Sequence, residues 1–283
     1  MSVWPAPGAP GYGRVMNNFE TVAAWIKARV ARDPPLASEP ELGTLLRVLA
    51  IWRSRLIADA LLRREGAKIL SGPFAGMDYV GEATEGALAP RLLGSYESEL
   101  HPAIARFAGE NLNCIVDVGC AEGYYAVGLA RLMPRVTVYA YDIVEKARLA
   151  CAELAAKNGV ADRVVVRETF TPEGFEEFAD RKCLVMMDVE GAEDDLLRPD
   201  LSPALAKMSL IVETHDVYRP GVLERLRERF AATHDIQRLN PQGKSVPLPD
   251  WLAAQGHLDH LIAVWEWRIR PTPWLVMTPK AAA

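Results

Sequence analysis

The feature that most constrains this chain is a series of short apolar runs, alternating with helix-like segments, that begins near residue 113. Such runs are typical of parallel strands that are buried on both faces. Strands that alternate with helices predict an α/β fold of the Rossmann-like, doubly wound type, with a mostly parallel sheet. The predicted core strands are 114–118, 136–141, 164–166, 183–187 and 210–212, followed by 235–239.

The segments on either side of this core complete the predicted architecture. Residues 1–66 are predicted to form an N-terminal arm and helical extension, and residues 67–283 the main domain. Two helices are expected after the capping sequences at Asn17 and Ser38, and a final strand is expected at 261–265. The apolar stripe of the second helix is interpreted as a cap on the main domain or as the contact of a homodimer.

Composition narrows the classes of function. The net charge is −5 at pH 7 and the pI is about 5.7, so no basic excess favours a nucleic-acid partner. The four cysteines form neither a Cys-x-x-Cys pair nor a zinc-ligand spacing with histidine, which is typical of a reducing compartment. Neither a secretion signal nor a membrane-spanning run is recognisable. We therefore expect a cytoplasmic protein that acts on a small molecule and has no membrane partner.

A turn with two glycines follows the first core strand, at residues 117–124. Gly119 and Gly123 allow the backbone of this turn to approach a ligand closely. The turn differs from the dinucleotide fingerprint, because Ala121 and Tyr124 stand where that motif requires glycine. The two acidic residues of the turn would also repel a pyrophosphate, whereas they would attract a cationic ligand.

A further acidic residue, Asp142, follows the second core strand. The strands that end near Asp117 and Asp142 are one strand-helix-strand unit apart, so we expect their ends to be neighbours. A carboxylate in this position can accept hydrogen bonds from both hydroxyls of a ribose. A cationic ligand that carries adenosine therefore fits this predicted site better than NAD does.

The glycine turn together with Asp142 resembles the cofactor site of class I S-adenosylmethionine-dependent methyltransferases. The sequence Asp-Val-Glu-Gly-Ala-Glu at 188–193, with Glu-x-His at 213–215, is similar to that of the FkbM-like family. This resemblance implies S-adenosylmethionine as the cofactor and O-methylation of small molecules or sugars as the activity. The candidate cofactor-binding residues are Asp117, Gly119, Cys120, Ala121, Gly123, Tyr124, Asp142, Ile143, Thr169, Phe170, Asp188 and Tyr96.

The candidate catalytic residues are Asp188, Glu213 and His215, which follow the fourth and fifth core strands. Methyl transfer from a sulfonium is an in-line displacement, and a hydroxyl acceptor must also lose its proton. His215 suits the role of general base because its ordinary pKa lies near neutral pH. Alternatively, the same three residues hold a divalent metal ion that activates the hydroxyl. Glu190 and Glu193 have a third interpretation, as carboxylates that stabilise a helix N-terminus.

Several alternatives for the activity stay open at the level of sequence. Methylation at nitrogen or carbon of a metabolite or amino acid fits the same scaffold. A catalytically silent cofactor-binding or interaction domain is a further alternative, although the complete glycine turn argues against it. RNA methylation is disfavoured by the acidic pI and because Asp188-Val189-Glu190 replaces the Pro-Pro-Tyr-type turn of adenine methyltransferases.

Other candidate positions are histidines and tryptophans. His101 is a candidate for the pocket, whereas His234, His257 and His260 are predicted to lie on the surface. An aromatic cluster near the C-terminus is interpreted as the frame of an acceptor pocket or as core. This cluster consists of Trp265, Trp267 and Trp274, with Arg268 and Arg270 beside it.

Overall fold

The computed structural model describes residues 19–31, 38–81 and 86–281, so the predicted N-terminal arm lies outside the described residues. A seven-stranded sheet with the order β3-β2-β1-β4-β5-β7-β6 forms the centre. Strands β1 to β5 are parallel, and β7 runs antiparallel to β5 and β6. The predicted Rossmann-like, doubly wound α/β class is therefore confirmed. The strands are β1 (Cys114–Val118), β2 (Thr137–Tyr141), β3 (Val164–Arg167), β4 (Cys183–Met187), β5 (Ser209–Glu213), β6 (His234–Leu239) and β7 (Trp274–Pro279).

Helices cover the sheet, and the first helices of the chain form an N-terminal extension. Within the described ranges, none of them is both long enough and apolar enough to cross a membrane. The helices are α1 (Phe19–Val30), α2 (Glu39–Glu65), α3 (Leu88–Leu93), α4 (His101–Ala108), α5 (Tyr124–Leu132), α6 (Glu145–Lys157), α7 (Glu193–Leu196), α8 (Val222–Phe230), α9 (Asp250–Ala253) and α10 (His257–Ala263). Short 3₁₀ turns lie at Ser98–Leu100, Pro172–Phe178 and Pro203–Lys207.

The central strands have no solvent-exposed face. All five residues of β1, β4 and β5 are buried. Successive side chains of a strand point to opposite faces, so Ile115 belongs to the core under α5 while Cys114 and Val116 belong to the core on the other face. This two-sided burial explains why the runs in the sequence are almost uninterrupted by polar residues.

The direction of the chain through the sheet reverses between β1 and β4. Strand β1 pairs with β2 on one side and with β4 on the other, so Val118 lies opposite both Tyr141 and Met187. Ligands of doubly wound sheets bind beyond the carboxyl ends of the strands at such a switch point. The register brings the segments after β1, β2 and β4 together there, as expected for Asp117 and Asp142.

The N-terminal extension is attached to the C-terminal part of the chain by charged and aromatic side chains. Arg53 of α2 forms a bidentate ion pair with Asp259 of α10, with N···O distances of 2.7 and 2.6 Å. Stacking of a guanidinium on an aromatic ring adds to this attachment. Three such pairs lie at 5.0–5.2 Å, namely Arg47 on Trp265, Arg55 on Trp267 and Arg64 on Trp251.

The predicted final strand at 261–265 is wrong. Residues up to Ala263 belong to α10, and the last strand is β7. A run of five apolar residues fits a helix as well as a strand, and only the periodicity of burial distinguishes them. Here Ile262 and Ala263 are buried while Leu261 is exposed, which is the pattern of a helix with one face on the core.

The prediction that His234 lies on the surface is also wrong. His234 is buried at the start of β6, where its Nε2 lies 2.9 Å from the carbonyl oxygen of Met208. Its ring packs edge-to-face on Phe230 at 5.2 Å. The prediction for His257 is confirmed, and His260 is half-buried.

Candidate functional site

The glycine turn after β1 has a backbone that few other residues could adopt. Gly119, Ala121 and Gly123 have φ values of +87°, +46° and +96°. A Cβ atom on Gly119 would lie 1.8 Å from the carbonyl oxygen of Asp188, and one on Gly123 would lie 2.9 Å from Sγ of Cys151. The turn is therefore fixed between the segment after β4 and helix α6, and glycine is required for steric as well as conformational reasons.

Asp142 holds the turn from the side of β2. Its Oδ2 accepts a hydrogen bond of 2.9 Å from the amide of Ala121, and its Oδ1 accepts one of 2.8 Å from the amide of Val144. Each carboxylate oxygen has a second lone pair that remains available to a ligand hydroxyl. The neighbouring Ile143 is 78% exposed at the carboxyl end of β2, which leaves an apolar surface beside the carboxylate.

Asp117 is a buried carboxylate with an unsatisfied oxygen. The residue is 3% exposed, and no described group hydrogen-bonds to its Oδ2. Burial and the nearby charge of Asp142 raise the pKa of Asp117 to about 7, although a hydrogen bond from the backbone of Ala126 opposes the shift. A buried acid without a partner is costly, so this position fits a ligand with a cationic group.

The other candidate cofactor residues lie around the same crevice. Cys120 is buried within the turn, and Tyr124 at the start of α5 packs edge-to-face on Tyr96 at 5.2 Å. Phe170 is buried beyond β3 and packs at 4.7 Å on the last residue of β2. Thr169, beside it, is exposed. Their roles in binding stay predictions.

The three candidate catalytic residues converge on the ring of His215. This ring is 3% exposed, and its Nδ1 lies 2.6 Å from Oε1 of Glu193. Its Nε2 faces oxygens of Asp188 and Glu213, each at 3.6 Å, and of Glu190 at 3.9 Å. These three distances exceed the length of a hydrogen bond. The Asp188–Glu213–His215 group is referred to below as the His215 cluster.

Burial and neighbouring charges shift the pKa values of His215 and Asp188. Burial alone lowers the pKa of His215, but the hydrogen bond to Glu193 and the charge of Glu213 outweigh it and raise the pKa. Although 33% of the Asp188 side chain is exposed, its Oδ1 is buried. Burial and then the charge of Glu213 raise the pKa of Asp188 well above its ordinary value. Asp188 and His215 therefore each hold a proton more tightly than the same group does in water.

The interpretation of Glu193 as a group at a helix N-terminus is compatible with its contact to His215. Its Oε1 also accepts a hydrogen bond of 3.1 Å from the amide of Gly191. The carboxylate is fully buried, so it orients the imidazole and favours the proton on Nδ1. The lone pair of Nε2 then faces the carboxylates of the His215 cluster.

Arg268 connects the His215 cluster to the segment before α4. Its guanidinium donates hydrogen bonds to Glu97, Glu213 and Glu266. Thr272 Oγ1 donates a further bond of 2.5 Å to the same oxygen of Glu213, Oε1. Because Oε1 has these two donors, the other oxygen of Glu213, Oε2, is the one that faces His215.

The sequence pattern does not single out Lys244 and Glu266. Lys244 forms buried ion pairs with Glu99, at 2.9 Å, and with Glu266. The available signal is the alternation of tryptophan with charged residues at 265–268, which in an extended segment places the charges on one side. The positive φ of Trp267, +65°, marks the same segment as strained.

The remaining predicted positions contribute no side chain to the His215 cluster, although Trp274 pairs with Glu213 across β5 and β7. Trp265 and Trp267 pack on the extension, and Trp274 is buried in β7, so this aromatic cluster is core rather than an acceptor pocket. His101 lies beside Gly72, near the segment before α3. Arg270 is exposed and belongs neither to the His215 cluster nor to the buried aromatic residues.

Comparisons with known proteins describe the fold. No protein-family model matches the chain, and no curated protein sequence matches it. Solved structures with a similar fold include a rRNA methylase from Streptococcus thermophilus (15% identity, covering 65% of this chain and 97% of that chain, TM-score 0.46). Two others are a precorrin-6y C5,15-methyltransferase from Geobacter metallireducens GS-15 (12%, 62% and 86%, 0.41) and the human methyltransferase 10 domain containing protein (11%, 81% and 97%, 0.47). Because all three TM-scores are below 0.5, the activity is argued from the site alone.

Proposed function

We propose that this protein is an enzyme that transfers a methyl group from S-adenosylmethionine to a hydroxyl of a small or sugar-like acceptor. The observation that carries the proposal is the position of Asp188 between two halves of one site. Its carbonyl oxygen packs against Gly119 of the candidate cofactor turn, and its side chain faces His215. A donor bound at the turn would therefore lie next to a group able to handle the proton of an acceptor.

The charges of the crevice favour S-adenosylmethionine over a dinucleotide. Asp117 and Asp142 lie at the carboxyl ends of β1 and β2, where they would repel a pyrophosphate and attract an ammonium or sulfonium. The unsatisfied Oδ2 of Asp117 suits the ammonium of the methionine moiety. Asp142 would bind the ribose hydroxyls, while Ile143 and Phe170 would offer apolar surfaces to the adenine.

The proposed reaction is a single displacement at carbon. The acceptor hydroxyl gives up its proton at the His215 cluster, and its oxygen forms a bond to the methyl carbon with its own electron pair. The bond between that carbon and sulfur breaks, and sulfur keeps the electron pair as a neutral thioether. Pre-alignment of donor and acceptor supplies much of the rate enhancement in such transfers.

Methylation of an amine is the second candidate. Four carboxylates lie within 3.9 Å of the imidazole nitrogens of His215, which is an excess of negative charge that a protonated amine would neutralise. The amine would still have to lose a proton before it attacks the methyl group. Assays with hydroxyl and amine acceptors, read out as release of S-adenosylhomocysteine, distinguish the two candidates.

We also propose membership of the FkbM-like family. The two segments that carry the resemblance, 188–193 and 213–215, contribute Glu193 and His215, which are in direct contact. This contact is a physical reason for the two patterns to occur together. The cytoplasmic location and the absence of a nucleic-acid partner stay predictions.

The cofactor is tested by calorimetric titration of the purified protein with S-adenosylmethionine and, separately, with NAD. We expect S-adenosylmethionine to bind and NAD not to bind, and we expect Asp142→Ala to weaken binding at least tenfold. Asp162→Ala is a matched control, because Asp162 is an exposed acid that precedes β3. A folded protein that does not bind S-adenosylmethionine would contradict the proposed function.

A further inference from the structure

We propose that Asp188, Glu213 and His215 bind one divalent cation of the first transition series. The use of this cation, to hold the acceptor oxygen beside the donor, rests on the proposed methyl transfer. Its binding does not, because the three side chains are brought together by β4, β5 and their following turns whether or not a cofactor is present.

The three donor atoms have the spacing of ligands around one ion. One donor atom from each side chain lies within 4.8 Å of the other two, and His215 Nε2 is 3.6 Å from both Asp188 Oδ1 and Glu213 Oε2. Ligand atoms about 2.1 Å from a common metal, at tetrahedral or octahedral angles, are separated by roughly 3.0–3.5 Å. The two distances from His215 Nε2 exceed this range by only a few tenths of an ångström, and the separation of the two carboxylate oxygens is at most 4.8 Å.

Two of the facing donor atoms are left without a hydrogen bond across the cluster. His215 Nε2 belongs to a ring that is more than nine-tenths buried, and the Asp188 and Glu213 oxygens that it faces lie at 3.6 Å, beyond hydrogen-bond distance. Asp188 Oδ1 is buried and makes no hydrogen bond within the described residues. Unpaired polar atoms of this kind are costly to bury, and a shared cation would satisfy them together.

In two of these three side chains, the polar atom that faces away from the other ligands is hydrogen-bonded to a neighbouring side chain. His215 Nδ1 is bound to Glu193 at 2.6 Å, and Glu213 Oε1 accepts hydrogen bonds from Arg268 and Thr272. Metal-binding histidines and carboxylates typically have such outer contacts, which orient them and select the donor atom. In this cluster the outer contacts leave Nε2 and Oε2 pointing at the common centre.

The donor set indicates the class of ion. One imidazole and two carboxylates suit manganese, iron, cobalt or zinc, whereas magnesium and calcium prefer sites made entirely of oxygen. Three protein ligands leave coordination positions open, and the partial exposure of Asp188 and Glu190 places those positions towards the crevice. An acceptor with a hydroxyl could bind there as a further ligand, and a bound cation favours the ionised oxygen.

The test uses Mn²⁺ alone, added to the full chain without cofactor, with free Mn²⁺ measured by electron paramagnetic resonance. We expect one Mn²⁺ to bind per chain and to be displaced more effectively by Zn²⁺ than by Mg²⁺. Asp188→Asn and His215→Gln should each weaken binding at least about tenfold. Matched controls are Asp235→Asn and His257→Gln, which change exposed residues elsewhere and should bind Mn²⁺ as the wild type does.

Circular dichroism and thermal melts establish that each variant is folded, and Mn²⁺ should raise the melting temperature of the wild type but not of Asp188→Asn. The proposal is overturned if the wild type leaves Mn²⁺ free, or if Asp188→Asn and His215→Gln bind it as tightly as the controls. Titration with S-adenosylmethionine in the presence of a chelator separates this result from a failure of the proposed function.

Discussion

Gly119 and Asp188 are in such close contact that a single methyl group between them cannot be accommodated. A Cβ atom on Gly119 would lie 1.8 Å from the carbonyl oxygen of Asp188. The contact joins the turn after β1 to the segment after β4, across the switch point of the sheet. The geometry of the candidate cofactor turn and that of the His215 cluster are therefore mechanically linked.

Gly119→Ala should abolish cofactor binding and destabilise the protein. The positive φ alone costs about 1–3 kcal/mol for a residue with a Cβ, and the backbone of Asp188 cannot move away without disturbing β4. Urea unfolding and calorimetry measure the two effects. The control is Gly43→Ala in α2, where a Cβ has no neighbour within 4 Å and the substitution should stabilise the helix by ~0.5–1 kcal/mol. Normal binding by Gly119→Ala would refute the role of this contact.

Asp117 should release a proton when a cationic cofactor binds. Its folded pKa of about 7 lies far above the ordinary value of about 3.9, so an ammonium beside it will favour the ionised form. At pH 6 we expect release of close to one proton per cofactor bound. Calorimetry in buffers of different ionisation enthalpy measures this number, which should fall towards zero in Asp117→Asn.

The raised pKa of Asp117 also makes the free energy of unfolding depend on pH. Between the unfolded pKa and the folded pKa, the folded chain keeps a proton on Asp117 that the unfolded chain has lost. The stability of the cofactor-free protein therefore declines as the pH rises from about 4 to 7. Asp117→Asn should remove this part of the pH dependence and raise the melting temperature at pH 8 by more than ~2 °C. If the stability of Asp117→Asn depends on pH as that of the wild type does, the raised pKa of Asp117 is contradicted.

Arg268 should be required for the stability of the acid-rich site. Its removal leaves Glu97, Glu213 and Glu266 buried without the cation that they share, and we expect Arg268→Met to cost ~3–5 kcal/mol. Arg268→Lys should recover only part of this loss, because one ammonium cannot reproduce the geometry of the guanidinium. Arg270→Met is the control, and its unfolding free energy should match the wild type within ~0.5 kcal/mol.

Of the two interpretations of the α2 stripe, a cap and a dimer contact, we predict that its exposed face mediates a homodimer. Leu42, Leu46 and Leu49 recur at helical spacing and are exposed, with Leu46 at 69%. Burial of such a stripe in a partner would be favourable. We expect Leu46→Glu to shift the chain from dimer to monomer in size-exclusion chromatography with light scattering, and Glu20→Gln on α1 to leave it unchanged. A wild-type chain that is monomeric at all concentrations would contradict the prediction.

The sheet and the cofactor turn could be predicted because their signals are local. The fully buried strands β1, β4 and β5 give nearly uninterrupted apolar runs, and Gly119 and Gly123 are required by the backbone of the turn itself. The final strand could not be predicted in the same way, since the run at 261–265 has no local property that separates a strand from a helix. The burial of His234 could not be predicted either, because a residue in an edge strand is buried only if a neighbour such as Phe230 covers it.

The sequence by itself determined the class of fold, the positions of the first six strands along the chain, and the acids and glycines at the ends of the first of those strands. Burial periodicity and turn conformation depend on residues that are close together in the chain, so a short stretch of sequence is enough to predict them. Only the tertiary structure decided that Glu193 orients His215 and that Arg268, from the far end of the chain, binds Glu97 and Glu213. Those contacts depend on the relative placement of distant elements, which is set by the packing of the whole core rather than by any one segment.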